Sequence, residues 1–251
     1  MPAVVSTRWL FGALLRALDI DTVCDVGSMD GADALRFRRH HPRANILAFE
    51  PNPENFLRMQ ADERLRAQHI RVLPYAASDR DSEAPFFVVN TRQGPGTAHE
   101  RRGQSSLLRR ADESLLAGEI QVQTVRLDRL LAEEQYADEA LALWIDAEGM
   151  AFEVLRGAGG VLANTRLLHV EVETTPCIAA GQHLFAEVRE VLQRARFELL
   201  ATDQPLAHPQ FNALFVRRDL LAARAPRIQV LLVLAWLRRR VGRALHRLRG
   251  S

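Results

Sequence analysis

The sequence predicts an α/β protein, a mostly parallel sheet with helices on both faces. Three observations predict it. Short apolar runs of strand length alternate with helix-length segments along most of the chain. The first two runs stop at Gly27 and at Glu50-Pro51, where strands of a parallel sheet open onto a ligand site at their carboxyl edge. The 251 residues are 47% hydrophobic and 25% charged, which excludes disordered and low-complexity classes.

The elements follow in order. Residues 4–18 place Trp9, Leu10, Ala13, Leu14, Ala17 and Leu18 at helical spacing, so 1–20 reads as an amphipathic helix docked on the body. Thr22–Val26 is a strand, and 31–41 a helix closed by Pro42. Asn45–Phe49 is the second strand, and 53–66 a helix with Pro53 in its first turn. Strands are expected at 70–74, 85–89, 142–146, 167–172, 197–201 and 211–216, with a helix at 182–195. The body thus spans 21–216.

Two segments break the rhythm. Residues 90–119 form a long polar stretch with Gly94, Pro95, Gly96, Gly103 and the pair Ser105-Ser106; a loop this long is usually functional or disordered. Its Arg92, Arg101, Arg102, Arg109 and Arg110 suit anionic or polyhydroxyl groups, so the segment reads as a lid or substrate loop or, alternatively, as a solvated basic loop. Residues 217–251 carry ten Arg against one Asp and read as a long helix broken near Pro226. There Leu234, Leu237, Val241, Leu245 and Leu248 form an apolar row with Trp236, and Arg239, Arg243 and Arg247 a basic one. Such a basic amphipathic helix, over 228–249, suits an anionic membrane surface, self-association or packing on the body. No aromatic platform interleaves the arginines, so no nucleic-acid partner is expected.

Composition excludes more. There is no lysine, hence no Schiff-base or P-loop chemistry. Two cysteines, Cys24 and Cys177, exclude a disulfide scaffold and fit a reducing, cytoplasmic compartment. No apolar run reaches the roughly 18 residues that span a bilayer, so any membrane contact is expected to be peripheral. No Cys/His spacing suggests zinc, and no metal is expected.

The site is read from strand ends. Asp25-Val26-Gly27-Ser28-Met29-Asp30-Gly31 follows the first strand. Gly27 permits a tight turn, and the helix after Gly31 aims its amides at the same place. Glu50 can accept from both hydroxyls of a ribose, which suggests an adenosine-containing ligand. The dinucleotide fingerprint is absent, and acidic neighbours favour a cationic ligand, S-adenosylmethionine, over a pyrophosphate. A strand–helix turn with no ligand is the alternative. For chemistry, Asp146 and Glu148 follow one strand, while His169, Glu171 and Glu173 share one face of another. A hydroxyl nucleophile needs a general base, and these are the candidates. Glu148 could instead be a helix-start acid, and His169 a core histidine.

These residues sit within longer motifs. DVGSMDG (25–31), AFEPNPENF (48–56), VLPYAASDRD (72–81), QSSLL (104–108), VRLDRLL (125–131) and IDAEGMAFEVLRGA (145–158) occur in that order. Together they resemble the FkbM family of S-adenosylmethionine-dependent methyltransferases. The resemblance implies a Rossmann-like class I methyltransferase sheet of seven strands and O-methylation of a sugar, glycan or polyketide-like hydroxyl compound. It implies that Asp25, Gly27, Ser28 and Gly31 border the methionine part of the cofactor. Glu50, with Asn52 beside it, takes the ribose, and the corner from Ala77 to Asp79 lies near the adenine. Two positions depart from the family. Trp144 stands where a Lys is usual, and Ala151 where an acid is usual. They motivate an alternative, a cofactor-binding module that has lost catalysis.

Overall fold

A computed structural model describes residues 2–92 and 96–249, apart from the side chains of residue 100 and of residues beyond 241. Gly94 and Pro95, and the side chains of Arg243, Leu245, Arg247 and Leu248, lie outside the described residues. The chain begins β1 (Ala3–Val4), α1 (Thr7–Ala17), β2 (Thr22–Val26), α2 (Ala32–His40), β3 (Asn45–Phe49), α3 (Pro53–Ala61), α4 (Glu63–Ala67), β4 (Arg71–Leu73), β5 (Ala76–Ala77) and β6 (Ser82–Val89). Next come α5 (Ala98–Arg102), β7 (Leu116–Val125), α6 (Leu127–Glu133), β8 (Leu141–Ile145), α7 (Ala151–Gly157), β9 (Thr165–Glu173), α8 (Phe185–Arg194), β10 (Phe197–Thr202) and β11 (Gln210–Arg217). The helices α9 (Arg218–Ala223) and α10 (Ala225–Arg249) close it.

The main sheet has the order β1-β10-β11-β9-β8-β2-β3-β4. Strands β4, β3, β2, β8 and β9 run parallel, and β11 runs against β9 and β10. The α/β reading is therefore met, with one correction: among the described residues the main sheet has eight strands, not seven. The extra one is β1, which pairs with β10 through Ala3 and Val4. Two residues leave no periodicity to read; only the open edge of β10 makes them a strand.

Three boundaries also differ. The polar stretch after Asn90 ends earlier than expected, because β7 begins at Leu116 and pairs with β6. That hairpin, with β5, forms a second sheet of three strands, and much of β7 is exposed, which is why its sequence reads as polar loop. The 53–66 helix is two helices, since Asp62 ends α3 and caps α4 by accepting from the Arg64 amide. In the tail the break comes at Arg224, and Pro226 sits in the first turn of α10, where its missing amide costs nothing.

Period-two alternation splits the core. Cys24, Val26, Leu143, Ile145, Leu168 and Val170 face one side and pack under α6, α7 and α8. Val23, Ile46, Ala142, Trp144, Leu167 and Leu214 face the other, under α1, α2 and α10. Helix α1 starts where the Ser6 hydroxyl accepts from the Trp9 amide, and it buries Leu10, Phe11, Leu14 and Leu15 completely. Each such side chain contributes about 1.5–3 kcal/mol.

Candidate active site

The turn after β2 is shaped by what cannot fit there. Gly27 has φ +83°, and a Cβ on it would lie 1.9 Å from the Asp146 carbonyl oxygen. Only glycine lets the ends of β2 and β8 come this close. The amides of Gly27 and Ser28 both donate to the Phe49 carbonyl, which ties the turn to β3. Gly31, at φ +74°, opens α2; a Cβ there would meet the Leu65 methyls at 2.7 Å.

Two carboxylates flank this turn. Asp25 is 1% exposed; its Oδ2 accepts from the Ser28 hydroxyl at 2.6 Å, while its Oδ1 has no partner. Burial, with Asp33 and Asp146 adding repulsion, raises its pKa well above the usual range. A cation placed against Oδ1 would satisfy it. Glu50 accepts from the Met29 amide at one oxygen and from the Asn52 amide at the other, each at 2.8 Å. Burial outweighs these bonds and pushes Glu50 up to about 7. The Asn52 side chain caps α3 by accepting from the Glu54 amide at 3.0 Å, so it orients the Glu50 segment.

Between Gly27, Glu50 and Ala77 runs a cleft walled by Tyr75, Phe86 and Met150. An apolar slot ending on a buried carboxylate fits an adenosyl group, and the free Asp25 oxygen fits an ammonium. The chain thus has the donors and shape for S-adenosylmethionine. Asp79 does not line this cleft. Its oxygens lie 3.2 Å from Arg80 Nε and 3.6 Å from an Arg156 nitrogen.

Beyond the turn the cleft widens into a cavity of about 580 Å³. Trp144 and His169 pair across β8 and β9. Two residues further on, on the same face, come Asp146 and Glu171. With Glu148 they bring carboxylate oxygens within 4.8 Å of one another. Burial raises all three: Glu148 to about 7, Glu171 well above the ordinary range, Asp146 upward. Mutual repulsion adds to the rise of Glu148 and Glu171, and a hydrogen bond from Glu171 opposes it at Asp146. Like charges this close hold protons in common. Arg110 Nη2 meets Glu148 at 2.9 Å and is the nearest counter-charge. Glu173 sits apart, 2% exposed and bonded to the Gln210 amide group at 3.2 Å.

His169 shares the face but not the cavity. It is 1% exposed, 3.1 Å from the Thr7 hydroxyl, and stacked on Trp144 with ring centroids 3.5 Å apart. Burial drives its pKa well below the usual value, so the ring is neutral. Trp144 itself lies within the core between Phe11 and Phe37, with the Arg36 guanidinium 4.9 Å above it. Ala151 is buried under the opposite sheet face.

The loop after β6 crosses the cleft. Ser106 pairs by backbone with Phe87, and its hydroxyl donates to the Glu148 carbonyl at 2.7 Å. Arg8, from α1, reaches the cavity wall beside Asp33. Sequence reasoning placed no weight on Arg8, Tyr75, Phe86 or Met150. The first arrives by helix docking; Tyr75 and Met150 lie inside motifs whose charged residues carry the stronger signal, and Phe86 is an apolar strand residue.

The sequence profile of the Methyltransferase FkbM domain matches residues 25–199. The chain belongs to the FkbM methyltransferase family. The matched span runs from Asp25 through both carboxylate strands and leaves α1 and α10 outside. A relative, the 2-O-methyltransferase NoeI of Sinorhizobium fredii, is 30% identical over 157 residues. The similarity covers 59% of this chain and 62% of that relative. Among solved structures, methyltransferase FkbM from Methylobacillus flagellatus aligns with a TM-score of 0.47 and 11% identity, over 79% of this chain and 44% of that one. Magnesium protoporphyrin IX methyltransferase from Synechocystis aligns at 0.44 and 12%, over 84% and 78%. These likenesses are loose, and the fold assignment rests on the strand order itself.

Proposed function

We propose that the protein transfers a methyl group from S-adenosylmethionine to a hydroxyl of a small molecule or glycan. One observation carries this reading: three half-buried carboxylates converge at the carboxyl edge of β8 and β9, beside a glycine turn that fits the donor. When bound, the donor supplies a methyl group on a sulfonium. The chain's residues do the rest. Asp25 and the Gly27 turn hold the cationic end, and Glu50 accepts from the ribose hydroxyls while the Met29 and Asn52 amides keep it aimed. Ala77, Tyr75 and Phe86 enclose the ring and exclude water.

The hydroxyl proton goes to the Asp146–Glu171 pair. Glu171 Oε2 has no hydrogen-bond partner and is free to accept it. A base with a raised pKa suits proton transfer near neutral pH, typically worth about 10²–10⁴-fold. Glu148, balanced by Arg110, orients the acceptor at the rim. His169 positions β9 through Trp144. Holding the nucleophile close and in line supplies the remaining acceleration. The 2-O-methyltransferase activity named for the relative supports a hydroxyl acceptor, and the convergence of acids supports catalysis over the binding-only alternative.

Thermal unfolding with S-adenosylhomocysteine tests the donor site. At about 100 times its dissociation constant the ligand should add roughly 2.7 kcal/mol. Glu50→Ala should remove that gain. Absence of a shift in the wild type would overturn the reading. A shift without transfer of labelled methyl to any of a panel of sugar hydroxyls would favour the inactive module.

A further inference from the structure

Helix α10 has two apolar faces, and only one is used. Ile228 and Ala235 are buried against the body, with Leu231 and Leu232 packed beside them. On the opposite face Val230, Val233, Leu234, Leu237 and Val241 recur at helical intervals and are 43–59% exposed. The expected row through Leu234, Leu237 and Val241 is thus the outward one, and the docked face is another. Trp236, 43% exposed, borders the outward stripe with the Arg240 guanidinium 4.6 Å from its ring. By helical phase Arg227 and Arg238 flank the other border. The helix carries seven Arg and no acidic residue.

Its direction is also defined. Arg224, just before α10, donates to the Ala17 carbonyl at the end of α1, and Arg239 donates to the Val5 carbonyl before its start. The two helices are antiparallel. The first turn of α1 stands at the carboxyl edge of the sheet, where Thr7 meets His169 and Arg8 lines the cavity. The ten residues of α10 beyond Arg239 therefore rise about 15 Å past that edge, on the side where the cleft opens.

We propose that the outward face of α10 docks on an anionic lipid surface. Exposed apolar patches of this extent mark interaction sites. An apolar stripe bordered by Arg and Trp matches a helix lying in a bilayer interface. Charge complementarity selects the occupant: a second copy would set the border residues Arg227, Arg238 and Arg240 against their own counterparts, whereas anionic headgroups attract them. If the methyl-transfer reading holds, such docking brings the cleft to hydroxyl acceptors anchored in the same bilayer. The docking itself is measured without an acceptor, so it stands or falls separately.

The test is flotation of the full chain with phosphatidylcholine vesicles, with and without phosphatidylglycerol. Binding is expected only with phosphatidylglycerol and should weaken as salt rises. Trp236 emission should shift to the blue on binding, a change lost in Trp236→Phe. Val230→Glu combined with Leu237→Glu should abolish flotation while the thermal midpoint and S-adenosylhomocysteine binding persist. Arg240→Gln should weaken binding about fivefold, given roughly 1 kcal/mol per basic residue at such a surface. Should the double variant fail to fold, the Trp236 and Arg240 variants decide. No flotation with phosphatidylglycerol vesicles would overturn the proposal. So would a dimer in sedimentation equilibrium that the double variant dissolves.

Discussion

The two halves of the cleft are held by opposite means. On the donor side, backbone does the positioning: Gly27 and Gly31 set the turn, and amides hold both oxygens of Glu50. On the acceptor side, Asp146, Glu148 and Glu171 crowd together, with Arg110 paired to Glu148 and Arg8 on the cavity wall. The first half is pre-organised for one ligand. The second stores repulsion that is relieved by taking up a proton. The difference teaches that binding and proton transfer should separate cleanly under mutation.

The largest effect is expected at the turn. Gly27→Ala places a Cβ on the Asp146 carbonyl at a positive φ, so β2 and β8 must part. We expect a loss of about 3 kcal/mol in denaturant unfolding and no measurable S-adenosylhomocysteine binding by calorimetry. Binding at wild-type affinity would show that the turn can yield.

Asp146→Asn and Glu171→Gln come next. Each should lower kcat by about 10²–10⁴ while the dissociation constant for S-adenosylhomocysteine changes little. Equal loss of binding and turnover would erase the distinction between the halves.

pH sharpens it. Glu50 and Glu148 are raised from an ordinary 4.5 to about 7 in the folded protein. The folded state then holds protons that the unfolded chain releases. That stability is fully present below about 4.5 and is lost as pH rises through about 7. The unliganded protein should lose a few kcal/mol across that window. Glu148→Gln should flatten the slope, and unfolding free energies measured from pH 4 to 8 would show it.

The smallest effect is expected at Arg110. Arg110→Gln removes the counter-charge from Glu148 and should raise the KM for the acceptor about fivefold, leaving donor affinity intact. A change in donor affinity instead would tie the crossing loop to the other half.

Legibility followed the range of the interactions. The Gly27 turn, Glu50 and the β2, β3 and β8 strands could be read because each is a local feature: an apolar run, a breaker, a charged residue at the end. Their order along the chain carried the family. The resemblance implies that Asp79 lies near the adenine; its contacts to Arg80 and Arg156 could not be read from the motif, since Arg156 is distant in sequence.

The sequence by itself determined the alternation, the strand ends and the donor motif, since these depend on neighbours along the chain. Only the tertiary structure decided which acids meet. Pairing of β8 with β9 turned two separate motifs into one carboxylate cluster, and docking of α1 buried His169 and delivered Arg8. It also decided that β1 is a strand, that β7 pairs with β6, and which face of α10 is left to solvent. The reason is that register and helix docking are contacts between residues tens to hundreds of positions apart, and no periodicity within a segment encodes its partner.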